Sequence, residues 1–171
     1  MQMTDILPAE AWARLEQDIT ERFGVNAHVY DAKGSPFTGK STWPNPLCRA
    51  LRENKSAATG ICAVINQVLG HEVRTSGRPA VSDCDAGQLV VCVPLFIGGE
   101  MVGMVGGCGG FADDNEPETY LLEKMAGLDE DRVAGLCRGL KRMTAAEVAA
   151  MRDYIADRVA AIIAEYQARR S

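Results

Sequence analysis

Two apolar runs, Leu89 to Ile97 and Met101 to Gly107, meet at Gly98-Gly99. Paired glycines between strand-like runs specify a two-residue β-hairpin, because the favoured turns need positive φ. Neither run alternates polar with apolar residues. A strand that is apolar on both faces needs cover on both faces, so the hairpin must lie inside a sheet with helices packed on either side. As a helix the longer run is far too short to cross a bilayer.

The remaining segments supply that cover. Trp12, Leu15, Ile19 and Phe23 recur at helical spacing, with Pro8 near the start and Gly24 as a stop. A short strand over Val25 to Tyr30 follows, then a turn through Asp31-Ala32-Lys33-Gly34 and a weaker strand or loop through Phe37 and Trp43. Pro46 opens a short helix carrying Leu47, Cys48 and Leu51. Ser56 is placed to cap another through Ile61, Ile65, Val68 and Leu69, which Gly77-Arg78-Pro79 breaks. Val81 to Cys84 is a short apolar run before the hairpin. Beyond it, Asp129 is placed to cap a helix carrying Val133, Leu136 and Leu140. Thr144 and Glu147 form a capping box ahead of a long stripe of Val148, Met151, Ile155, Val159, Ile162 and Tyr166. The order predicts an α+β fold: an antiparallel sheet of about five strands with flanking N- and C-terminal helices. One domain over 1–171 accommodates it, with an N-terminal helix (1–24), a sheet-bearing core (25–111) and C-terminal helices (112–171).

Charge narrows the partners. With 18 basic and 23 acidic residues the net charge is −5 and no basic stripe stands out, which argues against nucleic acid. The opening MQMTDILPAE has neither the basic nor the apolar region of a signal peptide. A cytoplasmic chain without membrane attachment is the expectation. In that setting its 6 cysteines are expected to be reduced thiols that pack, bind a metal or react.

Hairpin arithmetic sorts some of them. A simple two-residue loop pairs Ile97 with Glu100, Val93 with Met104 and Leu89 with Cys108. Cys108 then shares a face with Leu89, Val91 and Val93, while Cys92 points to the other face and reads as core. Cys84 lies at the same end of the hairpin as Cys108. Cys62 falls in the first turns of its helix, where dipole and free amides favour a thiolate, and shares a face with Ile65 and Leu69. Cys48 sits beside the same corner. Cys137, among Val133, Leu136 and Leu140, reads as core. Cys48, Cys62, Cys84 and Cys108 thus gather near one sheet edge without any CxxC pair; four independent buried cysteines is the plainer alternative. Cys108 is embedded in Gly106-Gly107-Cys108-Gly109-Gly110, which lets backbone approach a bulky group and lets amides donate to sulfur. An all-thiolate set favours iron–sulfur or zinc over hard cations, and the wide spacing and glycine cradle lean toward a cluster. His28 and His71 have no nucleophile beside them, and Asp83 and Asp85 read as a polar turn. Gly103-Met104-Val105-Gly106-Gly107 lacks the lysine and hydroxyl of a phosphate loop.

The stretch Pro46-Leu47-Cys48-Arg49, Gly60-Ile61-Cys62, Ser82-Asp83-Cys84-Asp85-Ala86-Gly87, Val93-Pro94-Leu95 and Met101 to Gly107 resembles the PocR sensory domain, a PAS-like ligand-binding family of signalling proteins. Val29-Tyr30-Asp31-Ala32-Lys33-Gly34 is similar to that family's first hairpin. The resemblance implies a PAS-like core and three family cysteines at Cys48, Cys62 and Cys84. It also implies a ligand among small organic molecules such as diols and hydrocarbon derivatives. Asp85 stands where many members carry histidine, and Cys108 where many carry glutamine. The fourth thiol raises a four-thiolate centre. The expectation is therefore a non-catalytic cytoplasmic sensor with an iron–sulfur cluster, of the 4Fe-4S type, on Cys48, Cys62, Cys84 and Cys108. A small-molecule sensor with structural or zinc-bound cysteines is the alternative. Its partners would be a second copy, through apolar terminal helices, and a downstream kinase or transcription regulator.

Overall fold

In the computed structural model, which describes residues 1–39 and 45–170, the hairpin occupies the middle of a four-stranded antiparallel sheet of order β1-β4-β3-β2. The strands are β1 (Asn26–Asp31), β2 (Ala80–Asp83), β3 (Leu89–Ile97) and β4 (Glu100–Cys108). The chain is α+β, with flanking helices at both ends. A fifth strand does form, β5 (Phe111–Ala112), but it leaves the sheet and pairs in parallel with β6 (Arg142–Met143). The turn after β1 closes through Asp31, whose Oδ1 accepts from the amides of Lys33 and Ser35 at 2.9 Å each. The chain then returns to pair Pro36 with Tyr30, and Phe37 N donates to the Val29 carbonyl. Trp43, expected to follow, lies outside the described residues.

Both faces of the sheet are covered, as its two-sided apolar strands require. On the first face Ala27, Val29, Leu89, Val91, Val93, Leu95 and Val105 pack against α1 (Met3–Ile6), α2 (Ala9–Phe23) and α8 (Ala145–Ala168). The N-terminal helix is two pieces rather than one, because Leu7 is extended and Pro8 becomes the N-cap of α2. Gly24 ends α2 at φ +70. The Thr144–Glu147 box caps α8, with Thr144 N donating to Glu147 Oε2 at 2.8 Å and Glu147 N to Thr144 Oγ1 at 3.2 Å. Met151, Ile155, Val159, Ile162 and Tyr166 are all buried against the first face. Val148, the first residue of the stripe, is only partly buried.

The second face meets α5 (Val64–Ser76) through Leu69 and Val73. A third apolar cluster joins α3 (Pro46–Glu53), α6 (Thr119–Ala126) and α7 (Glu130–Cys137) around Leu47, Leu51, Ile61, Phe111, Leu122 and Val133. Asp129 Oδ1 caps α7 by accepting from Arg132 N at 2.8 Å; α7 stops before Leu140.

Two local departures matter for the site. Between α4 (Lys55–Ala57) and α5 the helix winds as a π-helix over Ala58–Ala63. Asn54, not Ser56, caps the run, accepting from Ala57 N at 3.0 Å. The inward face runs through Ile61, Ile65 and Leu69, while Val68, expected inside, is 55% exposed. The second departure is a β-bulge. Ile97 and Phe96 pair with Glu100 and Met101 as a simple loop requires, but Leu95 then pairs with Gly103. The extra residue on β4 advances the register by one. Val90, not Leu89, opposes Cys108, and Val93 opposes Val105. Because side chains alternate, Cys108 moves to the face that carries Val90 and Cys92.

Candidate functional site

That shift carries Cys108 to the face on which the other three thiols arrive. Cys48 from α3, Cys62 from the π-helix, Cys84 from the turn after β2 and Cys108 from the end of β4 line one cavity, closed by Leu51, Ile65, Leu89 and Val90. Each is fixed by its own element. Asn45 caps α3, accepting from Cys48 N at 3.1 Å, and Pro46 starts the helix, so Cys48 stands in its first turn. Cys62 is not at a helix start; it lies inside the continuous run from Lys55 to Ser76. The π-turn sets where it points, and such turns concentrate at functional positions. Cys84 begins a tight turn in which Cys84 N donates to Gln88 O and Gly87 N to Cys84 O, both at 2.8 Å, with Gly87 at φ +81. The turn aims the amides of Ala86 and Gln88 at the Cys84 sulfur. Amides directed at sulfur are what the sequence suggests for the glycines around Cys108, and here they come from the other strand end.

The glycines around Cys108 do something else. Gly109 N donates to Leu89 O at 2.9 Å, and Leu89 N to Gly110 O at 3.0 Å, so this backbone is engaged with its neighbour. A Cβ at Gly110 would stand 2.9 Å from Lys141 O, and one at Gly109 would stand 3.2 Å from Asn45 Nδ2. The run admits protein atoms rather than a bulky group.

Three carboxamides that the sequence did not single out surround the thiols. Asn26, Asn45 and Gln88 are each at most 2% exposed. Asn26 Nδ2 donates to Cys108 Sγ at 3.8 Å. The Cys48 sulfhydryl donates to Gln88 Oε1 at 3.3 Å, and Asn45 Nδ2 donates to the same oxygen. Gln88 Nε2 and Asn26 Oδ1 are buried and meet no hydrogen-bond partner among the described residues. Leaving such an atom unpartnered costs about 1–3 kcal/mol. The signal was there in weak form: Asn before Pro at a helix start is a capping pattern, but nothing in it foretells burial beside sulfur.

Burial raises the pKa of all four thiols, that of Cys48 well above its ordinary value and that of Cys108 to about 11. Neighbouring sulfur charge adds to the effect at Cys48, Cys84 and Cys108. The Asn26 amide opposes it at Cys48 and Cys108, and Arg52 opposes it at Cys62 and Cys108. At neutral pH these are thiols, and a bound cation inverts that balance by displacing their protons. The space between them is about 30 Å³, room for a water or two, so anything larger enters by rotation of the cysteine side chains. Among the described residues no group of three His, Cys, Asp or Glu is spaced to hold a single metal ion. A tetrahedral zinc site would draw its sulfurs to roughly 3.8 Å from one another.

The other candidates fall outside this cavity. Cys92 is buried beside Met104, Sγ to Sδ 3.4 Å, with its pKa pushed up to about 12 by desolvation. Cys137 joins the third cluster. His28 is buried with its ring 5.9 Å from that of Tyr30, and desolvation lowers its pKa to about 4. His71 is exposed on α5, and Asp83 and Asp85 are exposed around Cys84.

No helix among the described residues is long and apolar enough to cross a membrane. Comparison with curated proteins finds no match. A family model described as the sensory domain found in PocR matches residues 5–167, which takes in all of the sheet, the four cysteines and nearly all of α8. The chain therefore belongs to the PocR sensory-domain family.

Proposed function

We propose that this sensory domain carries an iron–sulfur cluster, of the 4Fe-4S type, on Cys48, Cys62, Cys84 and Cys108, and reports redox state or a small ligand through it. The observation that carries the reading is the convergence of four thiols from four separate elements on one cavity whose other polar side chains are Arg52 and the carboxamides Asn66 and Gln88. The donor set fits: soft sulfur ligands only, backbone amides aimed at Cys84, and a buried Gln88 Nε2 with a proton still to give. When bound, the group supplies electron transfer or a ligand-sensitive iron; the chain supplies its charge balance. Arg52 and the Asn26 amide stabilise thiolate at Cys108, and burial limits solvent access.

Output has a route through β4. Cys108 faces the cavity, while at the adjacent Gly107 a Cβ would stand 3.6 Å from Met151 Sδ and 3.8 Å from Ile155 Cδ1 of α8. A shift of the β4 end that accompanied metal binding at the cysteines would be felt directly by α8, which packs against it at Gly107. The receiver in this reading is a kinase or transcription regulator in the cytoplasm, reached by the chain as a homodimer or alone.

Anaerobic purification followed by iron, acid-labile sulfide and zinc analysis tests this. Matched iron and sulfide in a brown protein is the expected result. Stoichiometric zinc would replace the cluster with a structural ion. A metal-free protein that binds a diol would leave a small-molecule sensor in its place.

A further inference from the structure

Beside the cysteine cavity lies a second, open cleft of about 400 Å³, between the turn after β1 and the face of α5. Its floor is apolar: Tyr30, Met101 and Met104 are each under a tenth exposed. Gly70 leaves the helix wall bare above Met104, where a Cβ would stand 3.6 Å from the Met104 sulfur. The rim is basic. Lys33, Arg52, Arg74 and His71 line it, and among the described residues Asp31 is its one lining carboxylate. Asp31 Oδ1 is committed to the Lys33 and Ser35 amides. Arg74 Nη2 donates to the Ala32 carbonyl at 2.7 Å, which pins the guanidinium at the rim with further donors in hand. An electropositive cleft on a chain of net charge −5 is a local inversion of the overall field, and such clefts concentrate anions.

We propose that this cleft binds a small organic acid, its carboxylate among Lys33, Arg52 and Arg74 and its apolar body on Met101, Met104 and Tyr30. Guanidinium groups match a carboxylate in geometry as well as charge. Two methionine side chains beside a tyrosine ring suit an aromatic or short aliphatic body. Inorganic anions are disfavoured by the floor, and neutral alcohols by the rim. Arg52 also walls the cysteine cavity, so the two sites share one residue. The proposal stands whether or not a metal occupies the cysteines.

Calorimetric titration of the purified chain with benzoate, benzyl alcohol and inorganic phosphate separates the contributions. Benzoate is expected to bind about tenfold tighter than either of the others. The double substitution Lys33→Gln with Arg74→Gln, both at exposed positions, should abolish most of that preference at an unchanged melting temperature, and Arg74→Lys should keep part of it. Benzyl alcohol or phosphate binding as tightly as benzoate overturns the proposal. So does benzoate binding that the double substitution leaves intact.

Discussion

Strands β3 and β4 present two chemistries to the two sides of one sheet. Toward α1, α2 and α8 they offer Leu89, Val91, Val93, Leu95 and Val105, met by Trp12, Ile19, Met151 and Ile155. That side is mainly apolar; its polar groups are partnered where the Trp12 indole Nε1 donates to the Met3 carbonyl at 3.0 Å and Val29 N donates to the buried Glu16 Oε1 at 2.7 Å. Toward α3, α5 and the π-helix the same strands offer Val90, Cys92, Met104 and Cys108, met by Leu69 and Val73 of α5 and, at the sheet end, by thiols and buried carboxamides. The difference shows a division of labour. The first side gathers most of the large buried side chains and with them the hydrophobic stabilisation. The second gives up part of that stabilisation to hold polar atoms that ordinary packing leaves unpaired.

The sharpest way to break this comparison is at Trp12, which is fully buried on the first side. Trp12→Ala removes the ring and one of the two donors to the Met3 carbonyl, leaving Leu7 N at 3.2 Å. Chemical denaturation should show a loss of about 3–5 kcal/mol. A loss under about 1 kcal/mol would mean that the first side does not dominate stability.

His28 tests the second side by pH. Its folded pKa of about 4 lies below the ordinary value of 6.5 because burial disfavours the charged ring. Above pH 6.5 both folded and unfolded chains hold it neutral. As pH falls from 6.5 toward 4 the unfolded chain takes up the proton first, so stability declines across that window, by a total of order 3 kcal/mol. An imidazole titration followed by NMR should read near 4. A midpoint near 6.5 would place the ring in water and contradict its burial.

Most of the first side was legible in the sequence, and the second was legible only in outline. The stripe from Met151 to Tyr166, the Thr144–Glu147 box, the Gly24 stop and the paired glycines act through local geometry, and each appears where its residues imply. The bulge at Leu95/Phe96 has no such local marker. Gly103 is the nearest hint, for a Cβ there would stand 2.6 Å from the Tyr30 carbonyl. Counting without it put Cys108 on the wrong side of the sheet. The four cysteines came together all the same, because the end of the hairpin, rather than its register, places Cys108 near Cys84. The π-turn was equally silent, and within α5 the inward face runs through Ile65, Leu69 and Val73 at steps of four, which turns Val68 outward. Asn26, Asn45 and Gln88 were missed because nothing about a lone amide in sequence separates a surface residue from one buried beside sulfur.

Single thiol replacements sharpen the contrast within the second side. Cys48→Ser, Cys62→Ser, Cys84→Ser and Cys108→Ser should each lower the iron content measured after anaerobic purification. Cys92→Ser and Cys137→Ser should leave it unchanged. Cys92 is buried among Val90, Met101 and Met104, so its replacement should cost about 1–3 kcal/mol through the hydroxyl's desolvation. Because the bulge puts Cys92 and Cys108 on one face, a loss of iron from Cys92→Ser would show that the site extends two residues further along β3. Retention of iron in Cys108→Ser would reduce the ligand set to the three cysteines of the α3, π-helix and β2 corner.

The smallest effect is expected where the first side begins, at the cap of α8. Thr144 Oγ1 accepts from Glu147 N while Glu147 Oε2 accepts from Thr144 N, which satisfies two amides that the helix start would otherwise leave to water. The Thr144 backbone amide, foremost, holds the Glu147 carboxyl below its ordinary pKa. Thr144→Ala removes one half of the box. Denaturation should show a loss of about 1 kcal/mol, with metal content and any benzoate affinity unchanged, because the helix packs on the face opposite both sites. The carboxylate half that remains contributes stability that is fully present above the ordinary Glu range and is lost as pH falls through the lowered folded value. If instead it altered metal content, α8 and the cysteine cavity would be coupled through β4 more tightly than packing against Gly107 implies, and the two sides of the sheet would act as one.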